Sequence, residues 1–184
     1  PQTSTEDLRS LVIDSTAKLI FCSYEIFTKK ISQSIQGPSI KIILLDAKEP
    51  TSKNIINFSD IGKISQDKNA ISNIPRSPKE IASLIYTSGT TAHPKGVLLS
   101  HKNICSNFKS IAKLGICSSS DNIISFLPLH HTYPFMVTLI MPIFLGAKVT
   151  YVLTLKSQEL LDVIKDAGVT ILVAVPQFFS LVHK

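Results

Sequence analysis

At 184 residues the chain has room for one domain, or one large subdomain, with a single core. Only 17% of its residues are charged and 44% are hydrophobic, where soluble domains carry about 25% charged; such a chain is membrane-associated or carries apolar faces that further chain would cover. The net charge of +6 comes from lysines and arginines spread thinly, with no basic block and no interleaved aromatics, which argues against nucleic acid and leaves anionic substrates or a lipid surface.

In chain order, Thr5 to Ala17 has helical spacing, with Leu8, Leu11, Val12 and Ser15 on one face. A short strand is expected over Lys18 to Cys22, a helix over Tyr24 to Ile35, a break at Gly37-Pro38 and a strand from Ile40 to Leu45 ending at Asp46. The stretch 47–79, with three prolines and much Ser, Asn and Lys, reads as a polar connection over the surface holding one short helix around Phe58 to Ile64. Three segments follow from this: a first α/β part over 1–46, the connection over 47–79, and a second part over 80–184.

The second part opens with a strand (Ile81 to Thr87), a Ser/Thr/Gly loop and another strand (Gly96 to Leu99). Ser100 is placed to cap a helix from His101 to Leu114, stopped by Gly115. A strand (Asn122 to Leu127), an apolar helix (Pro134 to Leu145), a strand (Lys148 to Leu153), a helix (Ser157 to Ala167) and a strand (Thr170 to Val175) complete the pattern, and Pro176 opens a last helix. Alternating helices and uniformly apolar strands predict an α/β fold of layered sheets and helices, with a largely buried sheet.

From Asn122 to Ala147 no acidic residue, Lys or Arg occurs. A spanning helix needs about 20 apolar residues in a row, but Pro128, Pro134 and Pro142 interrupt this run, and Pro142 would lose a helical hydrogen bond and crowd the carbonyl of Thr138. A buried, kinked helix is the expectation. Cys22, Cys105 and Cys117 are far apart with no Cys-x-x-Cys spacing, the pattern of buried or incidental thiols in a reducing compartment and not of a disulfide frame or zinc site. The polar, acidic start Pro1 to Asp7 does not read as a signal peptide. A cytoplasmic protein is expected, with peripheral membrane contact open to it.

The densest chemical signal is Thr87-Ser88-Gly89-Thr90-Thr91, followed closely by Lys95-Gly96. Four hydroxyls and a glycine offer donors and close backbone approach to polyphosphate oxygens; Lys95 adds a point charge. Alone, the string is also compatible with a Ser/Thr-rich hairpin turn. It is not a Walker loop, because Gly89 is followed by five residues before Lys95 and because Val97-Leu98-Leu99 reads as strand.

Tyr86-Thr87-Ser88-Gly89-Thr90-Thr91-Ala92-His93-Pro94-Lys95-Gly96-Val97 resembles the signature of the acyl-activating, adenylate-forming superfamily. Phe126-Leu127-Pro128-Leu129-His130-His131, Leu145-Gly146-Ala147-Lys148-Val149 and Pro176-Gln177-Phe178-Phe179 agree with it, and two of these look most like long-chain fatty acyl-CoA or acyl-carrier-protein ligases. The resemblance implies a piece of the large N-terminal domain of an enzyme that joins a carboxylate to the α-phosphate of MgATP and passes the acyl group to a thiol, on CoA or on carrier-protein phosphopantetheine. By the same resemblance Thr87, Ser88, Gly89, Thr90, Thr91 and Lys95 hold the β- and γ-phosphates, and His131 lies beside the acyl and adenylate pocket. His130 inherits no role, and without the resemblance either histidine would be read as structural.

The chain departs from the family pattern in two ways. Ala92 stands where a glycine is usual, at a strain cost of about 1 kcal/mol if that position needs a positive φ. The later segments are absent, including the magnesium-holding Glu, the ribose-binding Asp, the hinge and the C-terminal lysine. The chain is therefore expected to lack a complete catalytic set or metal site and to be inactive without the remainder of its own chain. Two alternatives stand beside this reading: an adenylation domain for an amino or aryl acid, and a truncated non-catalytic binding module.

Overall fold

A computed structural model describes residues 3–35, 40–47, 52, 54–64, 75–87, 94–153, 156–176 and 178. The chain forms two compact units, Pro1–Pro75 and Arg76–Lys184. It has the α/β architecture that its alternating pattern predicts.

The first unit starts with α1 (Thr5–Asp14), whose N-terminus is closed by Ser4: its hydroxyl oxygen accepts from the Asp7 N–H at 3.0 Å. The helix stops short of Ala17 because Ser15 ends it and Thr16 turns the chain with φ 51. Then come β1 (Leu19–Cys22) and α2, a continuous helix that is α over Tyr24–Ile26, π over Phe27–Ile31 and α again over Ser32–Ser34. The strands β2 (Lys41–Leu44) and β3 (Ile55–Asn57) complete a parallel sheet of order β1-β2-β3. Cys22, Ile31, Ile42 and Leu44 form its core, with Leu8, Phe27 and Ile55 packed against them. Gly37-Pro38, the expected break before β2, lies outside the described residues.

The stretch 47–79 is more than a connection. Within it Ile55 and Ile56 pair with Ile42 and Ile43 of β2 and extend the sheet by a strand. Two isoleucines between Asn54 and Asn57 are too short a stretch to show alternation or an apolar run, so pairing with an existing buried strand, not local pattern, decides their conformation. The short helix expected beyond them is present as a 3-10 turn, Phe58–Asp60, leading into α3 (Ile61–Ile64).

The second unit opens with an antiparallel hairpin, β4 (Ile81–Thr87) and β5 (Lys95–Ser100). Directly after it, α4 (His101–Ala112) begins on a capping box in which Ser100 and Asn103 bond each other's backbone N–H. Gly115, at φ 63, turns the chain beyond its C-terminus. A parallel sheet of order β7-β6-β8 follows, from β6 (Asn122–Ser125), β7 (Lys148–Tyr151) and β8 (Ile171–Leu172). All four residues of the central strand β6 are buried. Phe108 and Ile111 of α4 pack on the core of Ile123, Met141 and Val173. The strands end earlier than the sequence pattern predicts: β8 pairs only through Ile171 and Leu172, the extent to which Ile123 and Ile124 of β6 meet it. Asn122, buried in β6, donates to the Ala167 carbonyl at 2.9 Å and accepts from the Thr150 hydroxyl at 2.9 Å, so its amide is satisfied from both sides of the sheet.

The apolar helix α5 is α over Thr132–Pro134, π over Phe135–Ile140 and α over Met141–Leu145. Pro142 does not break it. The Met141 N–H bonds five residues back to the Met136 carbonyl, and the proline falls where the winding returns from π to α, so its missing N–H interrupts no regular ladder. The helix α6 (Ser157–Asp166) leads to β8. Among the described residues no helix is long and apolar enough to cross a membrane. Large apolar side chains remain exposed, among them Leu98, Leu114, Ile143, Phe144 and Leu153.

Candidate functional site

The hairpin positions Thr87 and Lys95, two of the predicted phosphate-binding residues. Ile81, Leu84, Ile85 and Tyr86 supply the β-branched, aromatic and apolar content that suits a pleated strand. Ile85 is buried and pairs with Val97; Leu84 pairs with Leu98, Tyr86 with Gly96 and Thr87 with Lys95. Thr87 and Lys95 are thus the last pair before the loop, on opposite strands and on the same face. The Thr87 hydroxyl donates to the Lys95 carbonyl at 3.4 Å, a long bond at the edge of useful geometry. Lys95 is exposed, and no carboxylate pairs with it among the described residues. Its ammonium is available to an anion, and in that respect it suits a polyphosphate. Ser88, Gly89, Thr90, Thr91 and Ala92 lie outside the described residues.

Gly96 holds the hairpin close. A Cβ there would lie 2.8 Å from Leu84 Cδ1 and 3.3 Å from Tyr86 Cε1, so the tyrosine and leucine cross the strand next to Lys95 only because that position has no side chain.

The histidine pair sits elsewhere in the second unit, between β6 and α5. The rings of His130 and His131 have centroids 4.3 Å apart, and both residues are exposed. Desolvation, then the neighbouring His131, pushes the His130 imidazole below the ordinary histidine value. The backbone of His131 forms the start of α5: its N–H donates to the Pro128 carbonyl at 3.2 Å, and its carbonyl accepts from the Phe135 N–H at 3.0 Å. No hydrogen bond or ring contact among the described residues joins His131 to Thr87 or Lys95. The structure brings Thr87 and Lys95 together and places His131 at a helix start.

Two features have only faint sequence signals. At the base of the hairpin, Arg76, His101, Lys102, Cys105 and Lys109 line an open groove of about 520 Å³; three cations within two short stretches were the available sign. Ser125 and Thr138 are both buried, and the Ser125 hydroxyl donates to Thr138 Oγ1 at 3.0 Å. Each is an isolated hydroxyl in an otherwise apolar segment. Among the described residues no group of three His, Cys, Asp or Glu side chains is arranged to hold a metal ion.

The family model for AMP-binding enzymes matches residues 1–184. The chain is 27% identical over 184 residues to long chain acyl-CoA synthetase 6, peroxisomal, of Arabidopsis thaliana, an alignment covering 96% of this chain and 26% of that protein. It is 36% identical over 113 residues to long-chain-fatty-acid–CoA ligase 1 of Schizosaccharomyces pombe, covering 56% of this chain and 16% of that one. Its fold matches ATP-bound MatB from Rhodopseudomonas palustris with a TM-score of 0.76 at 22% identity, over 98% of this chain and 34% of MatB. The chain therefore spans about a quarter of the length of the first of these relatives. With the hairpin, the Thr87–Lys95 pair and a match along its whole length, the chain belongs to the AMP-binding, adenylate-forming enzymes.

Proposed function

We propose that the chain contributes the phosphate-gripping part of an ATP-dependent acid–thiol ligase that activates a fatty acid as its acyl adenylate and passes the acyl group to the thiol of CoA or of a carrier protein. The observation that carries this reading is the placing of Thr87 opposite Lys95 at the mouth of the hairpin, with the Lys95 ammonium free of any carboxylate among the described residues. ATP, accompanied by magnesium, would present its β- and γ-phosphates to Thr87, Ser88, Gly89, Thr90, Thr91 and Lys95. His131 would border the acyl and adenylate pocket. A lysine in this place neutralises charge as pyrophosphate leaves, a preorganised electrostatic contribution.

The fatty-acid assignment is supported by the names of the relatives, two of which are long-chain acyl-CoA synthetases or ligases. The 184 residues by themselves would lack the adenine, ribose and metal contacts that position the reacting groups, and are inactive alone. Exposed apolar side chains such as Leu98 and Ile143 would be covered by the remainder of the same chain. Peripheral contact with anionic lipid belongs to the same reading. It is supported by Lys102, Lys109 and Lys113, which fall within about 40° of one another around α4 and its cap and pair with no carboxylate among the described residues.

Exchange of labelled pyrophosphate into ATP by the full-length protein, screened over carboxylic acids from acetate to palmitate, tests the proposal. Exchange dependent on a long-chain acid is the expected result. Exchange with amino or aryl acids alone would reassign the substrate, and exchange by the 184 residues on their own would overturn the claim that they are inactive.

A further inference from the structure

The loop 126–131 carries His130 and His131, and the residues that flank it, Ser125 and Pro134, are joined through two buried hydroxyls. At its start, Ser125 is the last residue of β6; its carbonyl accepts from the Val152 N–H at 3.0 Å, fixing it to the strand-β7 side of the sheet. At its end, Pro134 lies in the first turn of α5, three residues beyond His131. The Ser125 hydroxyl donates to Thr138 Oγ1 at 3.0 Å, and the Thr138 hydroxyl donates to the Pro134 carbonyl at 2.9 Å. Thr138 has no solvent exposure and Ser125 has 4%.

We propose that this two-bond chain is a clasp across the base of the loop, and that Thr138 is a positioning residue for His131. The inference rests on the ligase reading for what His131 does, but not for where it is held.

Buried hydroxyls are expensive unless paired, and a valine in place of Thr138 would fill the same space without that demand. The pair persists in an apolar setting where packing alone would hold a helix to a strand. What the hydroxyls add is direction: Ser125 to Thr138 to Pro134 determines how far the first turn of α5 lies from the end of β6. That separation sets where the loop can place its imidazoles. The π-wound segment Phe135–Ile140 begins at this turn, so the helix start is a place where winding is irregular and an extra constraint has most effect. Within the loop the His131 backbone is bonded at both its N–H and its carbonyl; movement of Pro134 is transmitted to it through the bond from Phe135.

The test uses the full-length protein with Thr138→Val, Thr138→Ser and Ser125→Ala. Thr138→Val should lower kcat/KM for the carboxylate about tenfold, the worth of one buried hydrogen bond, while KM for ATP stays within about twofold. Thr138→Ser, which keeps the hydroxyl, should restore the carboxylate value to within about twofold of wild type. In parallel, the ring signals of His131 in histidine-labelled protein should shift in Thr138→Val and Ser125→Ala and stay in place in Thr138→Ser. Should Thr138→Val fail to fold, Ser125→Ala, which removes one end of the chain and leaves the Thr138–Pro134 bond, carries both readouts. Unmoved His131 signals in the valine and alanine variants, or equal losses in the serine and valine variants, would overturn the proposal. If wild type exchanges no pyrophosphate with any acid, the ligase reading fails and the His131 signals still decide the clasp.

Discussion

Thr87 and Lys95 face each other across the open end of the β4–β5 hairpin, joined by a hydrogen bond of 3.4 Å from the threonine hydroxyl to the lysine carbonyl. This long contact leaves the Lys95 ammonium uncommitted, and the backbone pairing of β4 with β5 keeps the two strands in register where the loop departs. Lys95→Ala in the full-length protein is expected to slow adenylate formation about a hundredfold, the range for loss of one preorganised charge-stabilising group. Thiol transfer from preformed acyl adenylate should be affected far less. Pyrophosphate exchange and single-turnover thiolysis measure the two steps separately; equal damage to both would remove Lys95 from its assigned role.

Gly96 is the next residue along, and its lack of a side chain has a geometric reason. A methyl group there would meet Leu84 Cδ1 at 2.8 Å and Tyr86 Cε1 at 3.3 Å. The leucine methyl can swing away, whereas the Tyr86 ring can only tilt. Gly96→Ala is therefore expected to cost about 1–2 kcal/mol of stability as an overpacking change, and Gly96→Val more, because its branched carbon cannot fit beneath the ring. Urea unfolding curves of the two variants give the comparison; a neutral Gly96→Val would show that the ring does not need this space.

Much of this architecture could be read from the sequence where local signals and tertiary packing agree. Ser100 before a polar-apolar repeat announced α4 because a cap is a local interaction, and the apolar run of β4 predicted its bounds, Ile81 to Thr87, because one hairpin partner follows in sequence. β3 was hidden, since Ile55 and Ile56 take strand conformation from a partner many residues earlier. The π-winding of α5 was hidden also; Pro142 signalled a disturbance but not that the helix would absorb it by bonding five residues back. At the site, residue types singled out Thr87 and Lys95, and the hairpin register places them opposite each other. The Ser125–Thr138 pair could not be inferred, because two isolated hydroxyls become a feature only when folding buries them side by side.

The helix α4 presents lysines 102, 109 and its cap 113 to solvent while Phe108 and Ile111 pack inward. It contains no acidic residue to offset them. Each lysine near an anionic membrane surface contributes about 1 kcal/mol. Reversing Lys102 and Lys109 to Glu should therefore lower binding of the full-length protein to phosphatidylserine-containing vesicles by more than about tenfold at low salt, with binding to neutral vesicles unchanged. Co-sedimentation with the two kinds of vesicle reads this out. An unchanged ratio would place any lipid contact on another face.

Asp121 ties the beginnings of two neighbouring strands together. Its carboxylate accepts from the Thr170 hydroxyl at 2.8 Å through one oxygen, and from the Ser118 N–H at 2.7 Å and hydroxyl at 2.9 Å through the other. Thr170 in turn accepts from the Asn122 N–H at 2.9 Å, so the start of β6 and the approach to β8 share one carboxylate. The bond from Thr170, followed by those from Ser118, holds the Asp121 carboxyl below the ordinary aspartate value. A folded-state pKa below the unfolded one means that the unfolded chain binds the proton more readily. The stabilisation is thus complete above the unfolded value of about 3.9 and is lost as pH falls through the lower folded value. Asp121→Asn can reproduce one accepting oxygen and not both, so it should melt at a lower temperature than wild type at pH 7. Acidification protonates only the wild-type carboxyl, so the gap should narrow below about pH 4. Thermal unfolding of both proteins from pH 7 to pH 3 measures it, and a gap that stays constant across that range would show that the carboxylate charge contributes nothing to the joint.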